Sequence, residues 1–170
     1  MYKRQIPWEL EEKLDPWDHI EAAMGLSIAG KKDEAEKAFL WLSDSQLQDG
    51  SWYAEYLNSI PMTQRKETNF SAYIGTGLWH YYLIFKDKDF IENMLPTLSK
   101  ALDFVLSMQT ENGDIYWACE EGKQILDDSL ITGSSSIYKS LECTAAILNL
   151  FDKPIESIIV SMEKLKSSIN

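Results

Sequence analysis

The chain has 170 residues, of which 45% are hydrophobic and 25% are charged, so it is long enough for one globular domain with a sizeable core. Its formal net charge of −11 argues against nucleic acid or an anionic membrane surface as partners, because both require a basic patch. No apolar run reaches the ~18 residues that a membrane span needs, and the N-terminus lacks a signal-peptide core. We therefore expect a soluble, cytoplasmic protein without a membrane span.

The domain assignment leaves out the first residues. We assign residues 6–170 to a single domain and treat residues 1–5 as a non-native or disordered leader. Cys119 and Cys143 lie outside CxxC and CxxH spacings, so they are interpreted as reduced thiols. We expect no cofactor and no metal.

The chain begins with a predicted pair of helices. The first, DPWDHIEAAMGLSIAG, has Asp15 as N-cap, Pro16 at the first helical position and Gly30 at its end. Small residues on several of its sides indicate that other helices enclose it. The second, KKDEAEKAFLWLSDS, is predicted to be an outer helix, because apolar residues follow a helical spacing at Ala35, Ala38, Phe39 and Leu42.

The same pairing recurs twice. TNFSAYIGTGLWHYYLIF, capped by Thr68 or Asn69, predicts a second enclosed helix. An amphipathic stretch over 90–109 follows, and Pro96 is predicted to begin a new helix there because a proline inside a helix costs ~3 kcal/mol. A third enclosed helix is predicted behind the serines of GSSSIYKSLECTAAILNLF. The last helix carries an apolar stripe at Ile155, Ile158, Ile159, Met162, Leu165 and Ile169.

The two outer helices end in a repeated pattern. A shift of 63 residues places Gln46 on Gln109 and Gly50 on Gly113, and it also superimposes the aromatic and aliphatic positions before them. Glycine can take the left-handed conformation that ends a helix, and a glutamine amide in the last turn can satisfy free main-chain groups. We therefore interpret Gln46, Gly50, Gln109 and Gly113 as structural repeat residues.

QLQDGSW and its second copy, QTENGDIYW, resemble the QW repeat of the squalene-hopene cyclase and protein prenyltransferase superfamily. The stretches DPWDHIEAAM, TNFSAY and GSSSIY resemble bacterial prenyltransferase-like proteins of undefined reaction. This resemblance implies an all-α fold in which three inner/outer helical hairpins form about half of an α/α toroid. Toroids of six hairpins also serve glycosidases of the glucoamylase type, and KDKDFIENMLPTLSKALDFVL is similar to those.

The loop lengths predict which end of the toroid carries function. Turns from inner to outer helices are short, whereas connections from outer to inner helices, over 49–68 and 112–134, are long and polar. The N-termini of the inner helices open onto the long loops, so their free N–H groups favour a polar ligand at this mouth.

Residues that the loops and helix starts bring to this mouth are the candidate site residues. We assign Asp18, His19, Glu67 and Asp128 to catalysis and the following residues to substrate binding: Asp15, Trp17, Trp52, Asn69, Tyr73, Trp117, Ser135 and Tyr138. Structural readings stay open for most of them, since Asp15 can cap a helix, Trp52 can seal a helix end and His19 can be a satisfied core histidine.

Three functions remain open. The repeat favours an isoprenoid prenyltransferase or cyclase, although neither a DxDD motif nor the zinc-ligand spacing of protein prenyltransferases occurs. Acids and tryptophans at the mouth favour a carbohydrate-active enzyme, and the lack of a diagnostic catalytic motif leaves a noncatalytic scaffold open. The expected partners are a small-molecule substrate and, because half a toroid exposes apolar flanks, the missing half or a second copy in a homodimer.

Overall fold

A computed structural model describes residues 5–7, 13–120 and 125–168. In this part of the chain the helices pair as three consecutive hairpins, which confirms the predicted all-α class. Each inner helix is followed by an outer one: α1 (Pro16–Ile28) and α2 (Lys32–Ser45), α3 (Thr68–Phe85) and α4 (Lys88–Ser107), α5 (Ile131–Asn149) and α6 (Glu156–Ser168).

The long connections, together with the segment before α1, form two small antiparallel sheets that the sequence did not predict. Each strand has two residues, too few for the alternating pattern that identifies strands. One sheet has the order β1 (Lys13–Leu14), β2 (Tyr56–Leu57) and β3 (Ile60–Pro61), and the other has β4 (Lys66–Glu67), β5 (Ala118–Cys119) and β6 (Ile125–Leu126). These sheets fix the loops at the mouth.

Helix α3 lies at the centre of the packing, against α1, α5 and α4. Two of its glycines make this possible. A Cβ on Gly77 would lie 2.5 Å from Ile20 Cγ2, and one on Gly75 would lie 2.2 Å from Thr144 Oγ1. The inner helices therefore approach one another more closely than side chains larger than hydrogen would permit.

Helix α4 runs without interruption through Pro96, so the prediction of a new helix at this residue is wrong. Pro96 has no N–H to donate to the Glu92 carbonyl, four residues before it. Both residues are exposed, so water can bind that carbonyl instead. Three apolar residues near the proline are buried, Ile91 and Met94 before it and Leu98 after it. Each contributes about 1.5–3 kcal/mol, which together exceeds the ~3 kcal/mol that the proline costs.

The predicted cap of α1 is confirmed, whereas the caps of α3 and α5 are different from those predicted. Asp15 Oδ1 accepts a hydrogen bond from Asp18 N at 2.8 Å. At α3 the N-cap is Glu67, and Thr68 instead donates its hydroxyl to the carbonyls of Tyr116 and Trp117, in the connection between α4 and α5. Helix α5 begins three residues before Ser134, whose N–H donates to the Leu130 carbonyl at 2.7 Å, so the serines lie inside the first turns.

Each outer helix is joined to the next by the glutamine that ends it. Gln46 Nε2 donates to the carbonyls of Gly50, at 3.0 Å, and of Thr97 in α4, at 2.9 Å. Gln109 Nε2 donates in the same way to Gly113, at 2.8 Å, and to Ser161 in α6, at 3.0 Å. We call each such set of bonds a Gln-Gly tie. One amide group thus holds its own turn closed and binds the neighbouring hairpin.

Gly50 and Gly113 are required by backbone conformation and by space. Their φ angles are +91° and +100°, in the region that favours glycine. A Cβ on Gly50 would lie 1.9 Å from the Lys100 carbonyl oxygen, and one on Gly113 would lie 2.5 Å from that of Lys164. Both turns therefore rest directly on the backbone of the next outer helix.

We predict that Gly50→Ala lowers the free energy of unfolding by at least about 2 kcal/mol, because it adds strain at positive φ and a clash with α4. Urea unfolding measures this change. Gly25→Ala is the matched control, since no atom lies within 4 Å of the added methyl group and alanine favours the helix by about 0.5–1 kcal/mol. Equal midpoints for the two variants would contradict the Gln-Gly tie as described.

Candidate functional site

The N-termini of the three inner helices meet around an open cleft of about 320 Å³. We call it the mouth cleft. Its lining combines carboxylates, an amide, hydroxyl groups and aromatic rings, and comes from α1 and its cap (Asp15, Trp17, Asp18), α3 (Asn69, Phe70) and α5 (Thr132, Gly133, Ser136). Concave sites with aromatic walls and a few converging polar groups are typical of small-molecule binding.

Asp15 is the most perturbed acid of the mouth cleft. Burial is the main cause that raises the pKa of its carboxyl to about 6; the hydrogen bond from Asp18 N opposes the shift, and the nearby Asp18 side chain adds to it. No lysine or arginine is among the described residues that line the cleft. Asp15 therefore holds a proton to a higher pH than an ordinary aspartate, as a general acid must.

Next to this acid, an aromatic pair joins α1 to α3. The rings of Trp17 and Tyr73 are stacked with 3.8 Å between centroids and 4° between planes. Trp17 Nε1 and Tyr73 Oη both donate to Glu21 Oε1, at 2.9 and 3.2 Å. Trp17 and Tyr73 are half-buried and Glu21 is exposed. These three residues are called the aromatic-carboxylate cluster below.

His19, which the sequence assigned to catalysis, lies in the core and not in the mouth cleft. It is wholly buried; its Nδ1 accepts from Ile6 N at 3.0 Å, and its Nε2 donates to the Ala38 carbonyl at 2.9 Å. Because one nitrogen must accept and the other must donate, the ring is neutral, and burial lowers its pKa. Because both ring nitrogens form hydrogen bonds inside the protein, neither can exchange a proton with a ligand in the cleft.

Glu67 and Trp117 lie together in a second group, around Arg65. Arg65 Nε contacts Glu67 Oε1 at 3.0 Å, and its guanidinium lies 5.5 Å from the Trp117 ring centroid. Burial raises the pKa of Glu67, although the charge of Arg65 opposes the shift. Neither Glu67 nor Trp117 is among the residues that line the mouth cleft.

Four further predicted site residues, like Tyr73, lie outside the lining of the mouth cleft. Trp52 is 1% exposed and donates its Nε1 to the Leu42 carbonyl at 2.9 Å, so its place is in the core and not against a substrate. Ser135 is exposed and donates to the Ile131 carbonyl, and Asp128 is exposed beside the second sheet. Tyr138 is half-buried against the core between α4, α5 and α6.

The lining also contains residues that the sequence did not single out. Phe70, Thr132 and Gly133 were passed over, the last two because α5 was predicted to begin only at the serines. Ser136, which was interpreted as part of a cap, lines the cleft; its Oγ is buried and has no hydrogen-bond partner among the described residues. Arg65 was missed because it belongs to no motif in the sequence that identifies it as a site residue.

Within the described ranges, no three or more His, Cys, Asp and Glu side chains are grouped so as to hold a metal ion. None of the described helices is long and apolar enough to cross a membrane.

Comparisons with known proteins give one relative in sequence and several in structure. No protein family model matches the chain. It is 38% identical over 164 residues to an MMP endo-(1,4)-3-O-methyl-alpha-D-mannosidase from Mycolicibacterium hassiacum, and the match covers 96% of the chain and 45% of that enzyme. The chain thus spans less than half the length of this relative.

Solved structures with the same fold are also enzymes that act on sugars. A rhamnosidase from Klebsiella oxytoca matches with a TM-score of 0.72 at 12% identity, over 94% of this chain and 33% of the other. An alpha-amylase from Clostridium perfringens matches with a TM-score of 0.67 at 12% identity, over 92% and 42%. Together with the three hairpins, these matches show about half of an α/α toroid of the six-hairpin type.

The resemblance to prenyltransferases and squalene cyclases is wrong. The sequence relative is a glycosidase, and the structural neighbours are six-hairpin sugar enzymes. The Gln-Gly ties explain the error, because they bind one outer helix to the next and contact no residue of the mouth cleft. The pattern reports how a toroid is assembled, and toroids with different ligands can share it.

We predict that Asp15 and Asp87 make the free energy of unfolding depend on pH in opposite directions. The raised pKa of Asp15 stabilises the fold below pH 4, and this contribution is lost as pH rises through about 6. Lys32 lowers the pKa of Asp87, the N-cap of α4, so its contribution is present near neutral pH and is lost as pH falls. Asparagine preserves both caps.

Urea unfolding of Asp15→Asn, Asp87→Asn and the unchanged chain between pH 3 and 7 separates the two contributions. Relative to the unchanged chain, Asp15→Asn should gain stability as pH rises and Asp87→Asn should lose it. The same slope in both variants would disprove the raised pKa of Asp15.

Proposed function

We propose that this chain is part of a carbohydrate-active enzyme of the six-hairpin glycosidase type and that the mouth cleft is its sugar site. The observation that carries the proposal is Asp15, a half-buried carboxyl with a pKa of about 6, beside a second carboxylate, Asp18, in an aromatic cleft. The mannosidase that the chain resembles over 96% of its length supports the same class of reaction.

Glycoside hydrolysis requires two carboxyl groups with different protonation states. Asp15, which the sequence assigned to substrate binding, has the raised pKa of the group that protonates the leaving oxygen as the glycosidic bond breaks. Asp18, already assigned to catalysis, supplies the carboxylate that stabilises positive charge on the sugar ring. Water then adds its hydroxyl group to the sugar carbon of the broken bond, and the proton that it loses returns to Asp15.

The charge of the cleft favours a neutral sugar. Asp15 and Asp18 line it, no cation does among the described residues, and the whole chain carries −11, so a uronic acid or a phosphorylated sugar would be repelled. An α-(1,4)-linked 3-O-methylmannose oligosaccharide is the first substrate to test, because the relative's name specifies it.

We also propose that the functional unit contains further helical hairpins. An open groove of about 480 Å³ lies where α3, α5 and α6 meet, and its walls include Trp79, Ile155, Ile159 and Met162. Apolar side chains also remain exposed on α1 and α3, with Ile28 at 73% and Leu83 at 48%. A further inner/outer hairpin, from a second copy or the other half of a toroid, would cover such surface.

The proposed reaction predicts that Asp15→Asn lowers kcat for this oligosaccharide by at least about 100-fold, because the variant cannot protonate the leaving oxygen. Release of reducing ends by the purified chain, in its native oligomeric form, measures the rate. The unchanged chain should lose activity as pH rises through about 6. Asp87→Asn, a cap of α4 remote from the mouth cleft, is the control and should keep the rate.

A thermal-shift measurement with the same oligosaccharide separates binding from catalysis. Stabilisation without hydrolysis would overturn the proposed reaction but keep the sugar site. Neither stabilisation nor hydrolysis would favour the noncatalytic scaffold.

The proposed association predicts that the purified chain sediments as more than one copy. Ile159→Asp, at the open groove, should shift it to the monomer because the charge cannot be buried against a partner. Ile60→Asp, on the exposed strand β3, is the matched control and should leave the sedimentation coefficient unchanged. A folded monomer that binds no apolar dye would contradict the proposal.

A further inference from the structure

The side chains of the aromatic-carboxylate cluster are held in fixed orientations, although their hydrogen bonds contribute little to the stability of the fold. Two aromatic rings from different inner helices are stacked almost in parallel, and their polar atoms converge on a single oxygen, Glu21 Oε1. Glu21 is exposed, and hydrogen bonds at such a site contribute little to folding. An arrangement of this kind fixes the direction of a carboxylate and the plane of a ring, as a ligand site requires.

Glu21 can still accept a hydrogen bond. Both of its described bonds end on Oε1, and no donor among the described residues is placed on Oε2. Burial raises the pKa of Tyr73 to about 12, so the phenol keeps its proton and stays a donor to Glu21. The free oxygen is thus held in one orientation by two donors that do not titrate near neutral pH.

The cluster continues the mouth cleft along α1. Trp17 belongs to both, since it lines the cleft beside Asp15 and Asp18. Glu21 follows Asp18 by three residues, so the two carboxylates share one face of the helix, about 4.5 Å apart along its axis. A ligand held at Asp15 and Asp18 would reach Glu21 by extending one turn away from the mouth.

We propose that Trp17, Tyr73 and Glu21 form a binding subsite for a sugar unit adjoining the one whose bond is cleaved. This inference rests on the proposed function. Trp17, backed by Tyr73, presents a ring against which the apolar face of a sugar packs, and Glu21 Oε2 accepts a hydrogen bond from a sugar hydroxyl. Glu21 binds and orients the substrate, and it transfers no proton.

The test uses Glu21→Ala, Trp17→Ala and Tyr73→Phe with the α-(1,4)-linked 3-O-methylmannose oligosaccharide. We expect Glu21→Ala and Trp17→Ala to raise Kd by calorimetry and KM by about tenfold each, with kcat retained, because only binding energy is lost. Tyr73→Phe keeps the stacked ring and loses one donor to Glu21, so the expected increase is about threefold.

Two controls match these changes outside the cleft. Glu36→Ala removes another tyrosine-glutamate bond, the one that Tyr81 Oη makes to α2 at 2.6 Å. Tyr82→Ala removes one ring of another aromatic pair on α3, the one that it forms with Trp79 at 5.6 Å between ring centroids. Both should leave Kd and KM unchanged, and circular dichroism of every variant verifies its helices.

The outcomes separate this inference from the proposed function. Weaker binding in Glu21→Ala and Trp17→Ala, when the unchanged chain binds but does not cleave, keeps the subsite and overturns the reaction. Cleavage with unchanged KM in both variants overturns the subsite and keeps the reaction. No binding by the folded, unchanged chain overturns both.

Discussion

The Gln-Gly tie is the interaction on which the arrangement of this molecule depends. A glutamine amide has two hydrogens, and here one closes the turn that ends an outer helix while the other reaches a carbonyl of the next outer helix. The glycine of the turn lies against that same helix, where a methyl group would not fit. Each hairpin is therefore fixed to its neighbour at one end, so the inner helices all begin at the same end of the molecule.

A shared end for three helix starts has a chemical result. Their first turns border one cleft, where carboxylates from the start of α1 lie close together and partly away from water. The pKa of Asp15 is raised there, because burial and the Asp18 side chain together have a larger effect than the hydrogen bond from Asp18 N, which lowers it. The acid that we propose for catalysis is thus a helix cap that the fold shields partly from solvent.

Helical periodicity was enough to predict three pairs of helices, and the QW repeat, which suggested the wrong activity, indicated the toroid correctly. Loop length was enough to predict the end at which the cleft opens. Boundaries were less predictable where tertiary contacts decide them. The buried stripe of α4 carries the helix through Pro96, and α5 begins before its serines.

Individual site residues were harder still, because side-chain direction decides whether a residue at the right end of a helix faces the cleft or the core. Asp18 and His19 are adjacent in sequence, yet one lines the cleft and the other has both nitrogens satisfied inside the protein. Trp52 follows a turn that looks like an active loop, but its indole ends in the core. The QW repeat misled for a related reason, since its glutamines and glycines join one outer helix to the next and do not line the mouth cleft.

The atoms that the Gln-Gly ties contact on the next outer helix also affect how far the sequences of such proteins can diverge. Both glutamines donate to main-chain carbonyls, of Thr97 and of Ser161, and both glycines rest on main-chain atoms, of Lys100 and of Lys164. Every residue type has a carbonyl, so the receiving helix can change nearly all of its side chains and still be held. A ring joined in this way places few demands on sequence. That freedom is consistent with a rhamnosidase that shares the fold at a TM-score of 0.72 but only 12% of the residues.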